Sequence, residues 1–229
     1  MTTDTLQVSK SPVTGKVYEI PANKEDKNGI DAFIALHPGK KVVVVQGLGF
    51  VGSVMGLVVA NALTEEYAVI GIDLPTAGSY WKIRSINEGV FPVIASDPKI
   101  ELYYQNALQK KNYYASFDAY AYSKADVIVV DINLDVQKKS AKNKDLEGYD
   151  VDLTPFRKAI EAIGAHCKED VLVLVETTVP PGTAQKIVRP LLEEALSKRG
   201  LPVDKIKVGH SYERVMPGPK YIDSIQNFY

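Results

Sequence analysis

Lys41-Val42-Val43-Val44-Val45-Gln46-Gly47-Leu48-Gly49-Phe50-Val51-Gly52 is the stretch that decides the fold. A run of valines without polar alternation is the pattern of a strand covered on both faces. The glycines follow at once, and the apolar, small-residue run Phe50 to Leu63 reads as a helix opening directly out of the loop. Tyr67 to Ile72 is a second buried strand, and it ends on a carboxylate, Asp73, 21 positions beyond Gly52. Residues 41 to 73 therefore form one βαβ unit.

Each part of that unit has a chemical reason. Gly47 makes the tight turn out of the strand, Gly49 lets a pyrophosphate approach the backbone, and Gly52 lets the helix pack closely on the strand. The helix start, with Phe50 and Val51 in its first turn, offers N–H groups and a partial positive charge to phosphates. A carboxylate at Asp73 accepts hydrogen bonds from a ribose 2′-hydroxyl and repels a 2′-phosphate, which favours NAD over NADP. Glycine loops also occur as turns without a ligand and in S-adenosylmethionine-dependent methyltransferases. The buried strand, the helix and the acidic residue together point to a dinucleotide.

The same alternation continues along the chain. Ile100 to Gln109 reads as a helix, Val127 to Val130 as a buried strand, and Thr154 to Ile163 as a helix with Pro155 in its first turn, where the missing N–H does no harm. Val171 to Val175 is a strand, Pro181 to Lys198 a helix kinked at Pro190 and stopped at Gly200, and Ile206 to Gly209 a last strand. Strands alternating with helices specify an α/β fold, a Rossmann-type doubly wound parallel sheet with helices on both faces. Residues 41–229 form this domain. Residues 1–40 are polar, are punctuated by Pro12, Gly15, Pro21, Gly29, Pro38 and Gly39, and read as an N-terminal arm with a helical pattern only over Ile30 to Leu36.

Composition excludes several functions. Lys plus Arg total 27 against 28 for Asp plus Glu, a balance that suits neither nucleic acid nor an anionic membrane as partner. The longest apolar runs fall far short of the roughly 20 residues that span a bilayer. The start of the chain lacks the pattern of a signal peptide, so the protein reads as cytoplasmic. Cys167 is the single cysteine, which leaves no disulfide framework. His37, His166 and His210 are scattered without metal-ligand spacing.

Three more segments sharpen the reading: Lys82-Ile83-Arg84-Ser85-Ile86-Asn87-Glu88-Gly89-Val90-Phe91-Pro92-Val93, Glu176-Thr177-Thr178-Val179-Pro180-Pro181-Gly182-Thr183 and Tyr212-Glu213-Arg214-Val215-Met216-Pro217-Gly218. With the glycine loop, their order and spacing over about residues 41 to 229 resemble the UDP-glucose/GDP-mannose dehydrogenase family of nucleotide-sugar 6-dehydrogenases. The resemblance implies oxidation of the C6 hydroxyl of a UDP- or GDP-sugar to a carboxylate with two NAD, in polysaccharide biosynthesis. In that family a cysteine of the C-terminal half forms the thiohemiacetal and thioester intermediates. It further implies Thr178 beside the nicotinamide half, Glu213 at the active site in thioester hydrolysis, Lys82 near the adenine ribose, and a homodimer for the full-length protein. Plainer readings stand beside these: Thr178 as a strand-end residue satisfying backbone groups, Glu213 as a surface partner of Arg214, and Lys82 as a solvated helix residue.

The chain also departs from the family pattern. Asp131-Ile132-Asn133-Leu134-Asp135 replaces a Thr-Pro-rich loop, and the stretch between Asp73 and Lys82 is longer than usual. The family's second domain, which holds the catalytic cysteine, has no counterpart before Tyr229, and Cys167 lies in an unrelated turn. The expectation is a chain that binds NAD without turnover, the cofactor-binding portion of a dehydrogenase. A stand-alone NAD sensor or interaction module is the alternative.

Overall fold

The structure, a computed structural model, describes residues 7–23, 25–134, 136–138, 149–211 and 214–227. At its centre is a parallel sheet of six strands. In chain order these are β3 (Lys41–Gln46), β4 (Tyr67–Ile72), β5 (Tyr113–Ser116), β6 (Val127–Val130), β9 (Leu172–Val175) and β10 (Lys207–His210). They lie side by side as β10-β9-β6-β3-β4-β5, with Val44 opposite Ile70 on one side and Ile128 on the other.

The valine run of β3 explains why this strand is central. Val43 and Val45 join one apolar cluster with Val69, Ala115 and Val129, whereas Val42 and Val44 join another with Ile70, Ile128 and Val173. Successive side chains point to opposite faces of a strand, so an unbroken apolar run fills both faces at once. The first cluster is closed by α2 (Phe50–Ala60), α3 (Tyr80–Asn87), α4 (Pro98–Lys110) and α7 (Tyr221–Gln226). The second is closed by α1 (Lys27–Ala35), a 3₁₀ turn at Ala119–Ser123, α5 (Thr154–His166) and α6 (Arg189–Lys198). This is the doubly wound arrangement that the alternation of elements specifies.

Several features go beyond the sequence reading. First, β5 is an edge strand that the pattern did not reveal, and Asn87 covers its outer side. The Asn87 amide accepts from Ala115 N (2.8 Å) and donates to Ala115 O (2.7 Å), which occupies backbone groups that an exposed edge leaves open. Second, the bend expected at Pro190 is taken up by a π-helical turn at Ala184–Val188 that runs into α6. Proline has no N–H for the preceding turn, and the wider turn accommodates the missing bond. Third, the N-terminal segment is more ordered than an irregular arm. A hairpin of β1 (Val8–Lys10) and β2 (Val17–Glu19) precedes α1, and Tyr18, Ile30 and Phe33 are buried against the body. A second hairpin, β7 (Val136–Lys138) with β8 (Tyr149–Val151), stands between β6 and α5. Among the described residues, no helix is long and apolar enough to cross a membrane.

Candidate functional site

From β3 the chain proceeds to β4 and β5 on one side, then returns to β6 on the other. Open α/β sheets bind ligands outside the carboxyl ends of the strands at such a reversal. A cleft of about 580 Å³ opens there, walled by the glycine loop, Asp73, Lys82, Tyr122, Asp131 and the first turns of α5.

The loop's glycines have different tasks. Gly47 has φ +105°, and a Cβ there would collide with the backbone carbonyl of Asp131. Its N–H donates to Ile72 O at 2.8 Å, tying the turn to the end of β4. A Cβ on Gly52 would meet the Gly47 carbonyl, so this glycine sets how closely α2 packs on the loop. Gly49 differs: its φ of −74° and ψ of −169° suit any residue, and a Cβ added there would meet no atom within 4 Å. The protein itself does not require glycine at this point.

Gly49 is also the N-cap of α2 and supplies no side-chain bond to it. The first-turn N–H groups lack intrahelical acceptors. Phe50, at 53% exposure, extends outward, whereas Val51 is buried beneath the loop.

Asp73 is held by three donors. Its Oδ1 accepts from Leu74 N (2.7 Å), and its Oδ2 from Leu48 N (3.2 Å) and from Lys82 Nζ (3.1 Å). The carboxylate thus spans the end of β4, the glycine loop and α3. A carboxylate has about four acceptor positions, so capacity remains for a further hydroxyl. Lys82 is no free surface lysine: the long loop 74–79 folds back so that α3 brings it to the cleft.

Thr178 lies just past β9, is exposed, and does not wall the cleft. The strand-end role belongs to its neighbour Thr177, whose Oγ1 accepts from Ile132 N (2.8 Å) and donates to Val130 O (3.2 Å). Glu213, with Tyr212, falls outside the described residues. Cys167 sits between the end of α5 and the start of β9, on the amino-end side of the strands, opposite the carboxyl ends where the cleft opens. It is fully buried, and burial pushes its thiol above the ordinary range, the reverse of what a nucleophile needs.

Two contributors escaped the sequence reading. Gln46, the last residue of β3, accepts a hydrogen bond from the Tyr122 hydroxyl, and burial raises that hydroxyl's pKa. The bond fastens the 3₁₀ turn to the root of the glycine loop. Asp131 closes the other side of Gly47 with its carbonyl. The departure of residues 131–135 from the family loop was the one visible sign of it.

Residues 40–227 match the sequence profile of the NAD binding domain of the UDP-glucose/GDP-mannose dehydrogenase family. The chain belongs to that family. NAD is the cofactor of this domain, and the free space at Gly49, the open helix start and the oriented Asp73 fit it. UDP-N-acetyl-D-mannosamine dehydrogenase of Methanocaldococcus jannaschii is 28% identical over 205 residues, which cover 89% of this chain and 39% of that protein. The crystal structure of a ternary complex of GDP-mannose dehydrogenase from Pseudomonas aeruginosa aligns with a TM-score of 0.63 at 27% identity, covering 79% of this chain and 38% of that one. NDP-N-acetyl-D-galactosaminuronic acid dehydrogenase from Methanosarcina mazei shares the fold, with a TM-score of 0.69 at 23% identity over 85% of this chain and 38% of its own. The chain thus spans under two-fifths of the length of these family relatives.

Proposed function

We propose that residues 41–229 are the NAD-binding portion of a nucleotide-sugar 6-dehydrogenase, which oxidises the C6 hydroxyl of a UDP- or GDP-sugar to a carboxylate in polysaccharide biosynthesis. The observation that carries this reading is Gly49, a glycine that only a ligand requires, at the uncapped start of α2. When bound, NAD accepts hydride from the sugar carbon. The chain's own groups then bind and orient it. The first turn of α2, Phe50, Val51 and Gly52, holds the pyrophosphate. Asp73, fixed by Lys82 and two backbone N–H groups, takes the adenine ribose hydroxyls. Thr178 contacts the nicotinamide half, and Glu213 belongs to the thioester-hydrolysis stage.

These 229 residues bind NAD without turning over a sugar, because their one cysteine is buried on the amino-end side of the strands, away from the cleft. The complete enzyme works as a cytoplasmic homodimer with the nucleophile on its second domain. Relatives that act on UDP-N-acetyl-D-mannosamine and GDP-mannose support a nucleotide sugar as substrate.

The test is NADH formation from a panel of UDP- and GDP-sugars, by this chain and by the full-length protein. The reading expects none from the chain alone and two NADH per sugar from the full-length protein. NADH from neither, with NAD bound by both, would replace the enzyme with a sensor or interaction module.

A further inference from the structure

The family match begins at residue 40, so the hairpin β1–β2 and α1 precede the family domain. Besides their contacts with β5 and Glu88, they touch that domain at two walls of the NAD cleft.

On one wall the hairpin lies against α3 and the long loop before it. Ser9 is fully buried; its Oγ donates to Ala77 O (2.8 Å) and accepts from Trp81 N (3.0 Å). Those two bonds pin residues 74–79 to the start of the helix that carries Lys82, and Lys82 reaches back to Asp73. The loop 74–79 has bonds of its own, from Ser79 Oγ to Leu74 O and from Trp81 Nε1 to Gly78 O, and Ser9 adds an anchor from outside it.

On the other wall α1 lies against the 3₁₀ turn. Asp26 N donates to Asp118 Oδ2 (2.7 Å), and the Tyr120 hydroxyl donates to Asp31 Oδ1 (2.9 Å). This turn carries Tyr122, whose hydroxyl is bonded to Gln46 at the root of the glycine loop. Ala119 and Tyr122 wall the cleft opposite Asp73 and Lys82.

We propose that the N-terminal segment is a clamp on the adenosine end of the NAD cleft, with Ser9 and Tyr120 as positioning residues that set Lys82–Asp73 on one wall and Tyr122 on the other. The proposal rests on the NAD reading of the cleft. Neither residue touches the cofactor; each fixes a wall that does. Two walls fixed before binding leave less ordering for the ligand to impose, and affinity gains accordingly.

Ser9→Ala and Tyr120→Phe each remove a hydroxyl and keep the remaining side chain. Calorimetric titration with NAD, AMP and NADP, beside thermal melts, separates positioning from simple stabilisation. Each variant is expected to raise the Kd for NAD and for AMP by the same roughly fivefold factor, the size of one loosened hydrogen bond. Ser9→Ala also narrows the preference for NAD over NADP, since it frees the Lys82 helix. Tyr120 is partly exposed, so its variant folds even where Ser9→Ala does not. Wild-type protein that fails to bind NAD overturns the reading of the site. Wild-type affinity in both variants, with only the melting temperature lowered, overturns the clamp.

Discussion

Lys82 Nζ lies 3.1 Å from Asp73 Oδ2, and the pair is only 23% and 15% exposed. In the proposed site, the residue assigned to repel a 2′-phosphate thus has beside it a cation that would attract one. The proposed site has the Asp73 carboxylate pair with Lys82 and accept the ribose hydroxyls, an arrangement that favours NAD.

Asp73→Ser should therefore do more than relax the preference. It removes the repelling charge and frees Lys82 to meet a 2′-phosphate, so NADP affinity should rise about tenfold or more, the scale of a charge-assisted contact. Adding Lys82→Met should abolish that gain. Titrations of both variants with NADP check this; an equal gain in the double variant would remove Lys82 from the explanation.

Gly47 and Gly52 should behave as structural glycines. Gly47→Ala places a Cβ at φ +105° and against a backbone carbonyl, and Gly52→Ala meets the Gly47 carbonyl. Neither obstacle is a flexible side chain, so each should cost about 3 kcal/mol or more. Urea denaturation measures this directly, and a loss under about 1 kcal/mol at either position would contradict the packing described.

Tyr122→Phe leaves the Gln46 side-chain amide oxygen, Oε1, without its phenol donor in a buried place. A cost of about 1–3 kcal/mol follows from the unsatisfied acceptor. NAD affinity should fall with it, because Gln46 adjoins Gly47. A variant as stable as the wild type would show that this bond contributes nothing.

Acid should loosen the hairpin through Glu88. Its carboxyl is held down to about 2, first by the bond from Lys16 and then by that from Arg84. The unfolded chain takes up its proton near the ordinary glutamate value of 4.5, before the folded state does. The stabilisation is therefore complete above about 4.5 and is lost as pH falls towards about 2. Trp81, the chain's single tryptophan, bonds Ser9 through its backbone N–H, so its fluorescence reports the docking. Glu88→Gln should flatten the change across this window; an unchanged profile would place the acid sensitivity elsewhere.

Legibility in the sequence followed the range of the interactions. The valines of β3 and the run of β4 announce themselves because burial on both faces demands an unbroken apolar stretch. The glycine loop and Asp73 were equally plain, being one contiguous unit. β5 was hidden: Tyr113 to Ser116 is four residues long, and its edge is closed by Asn87 from another element. The hairpin was hidden too, since three-residue strands with one inward side chain each leave almost no periodicity. Gln46 and Tyr122 are separated by 76 positions, so no local pattern joins them. Lys82 was uncertain because its place depends on how the loop 74–79 folds back. At the end of β9 the backbone-satisfying hydroxyl proved to be that of Thr177, a distinction of one residue that only the strand register settles.

The central claim is that NAD lies against Gly49, and Gly49→Val tests it most directly. Backbone angles and empty surroundings both tolerate the valine, so the variant should melt within a few degrees of the wild type. Titrated with NAD, the wild type should saturate with one cofactor per chain, and the variant should show no binding. Equal affinity in the two proteins would place the cofactor elsewhere and contradict the account.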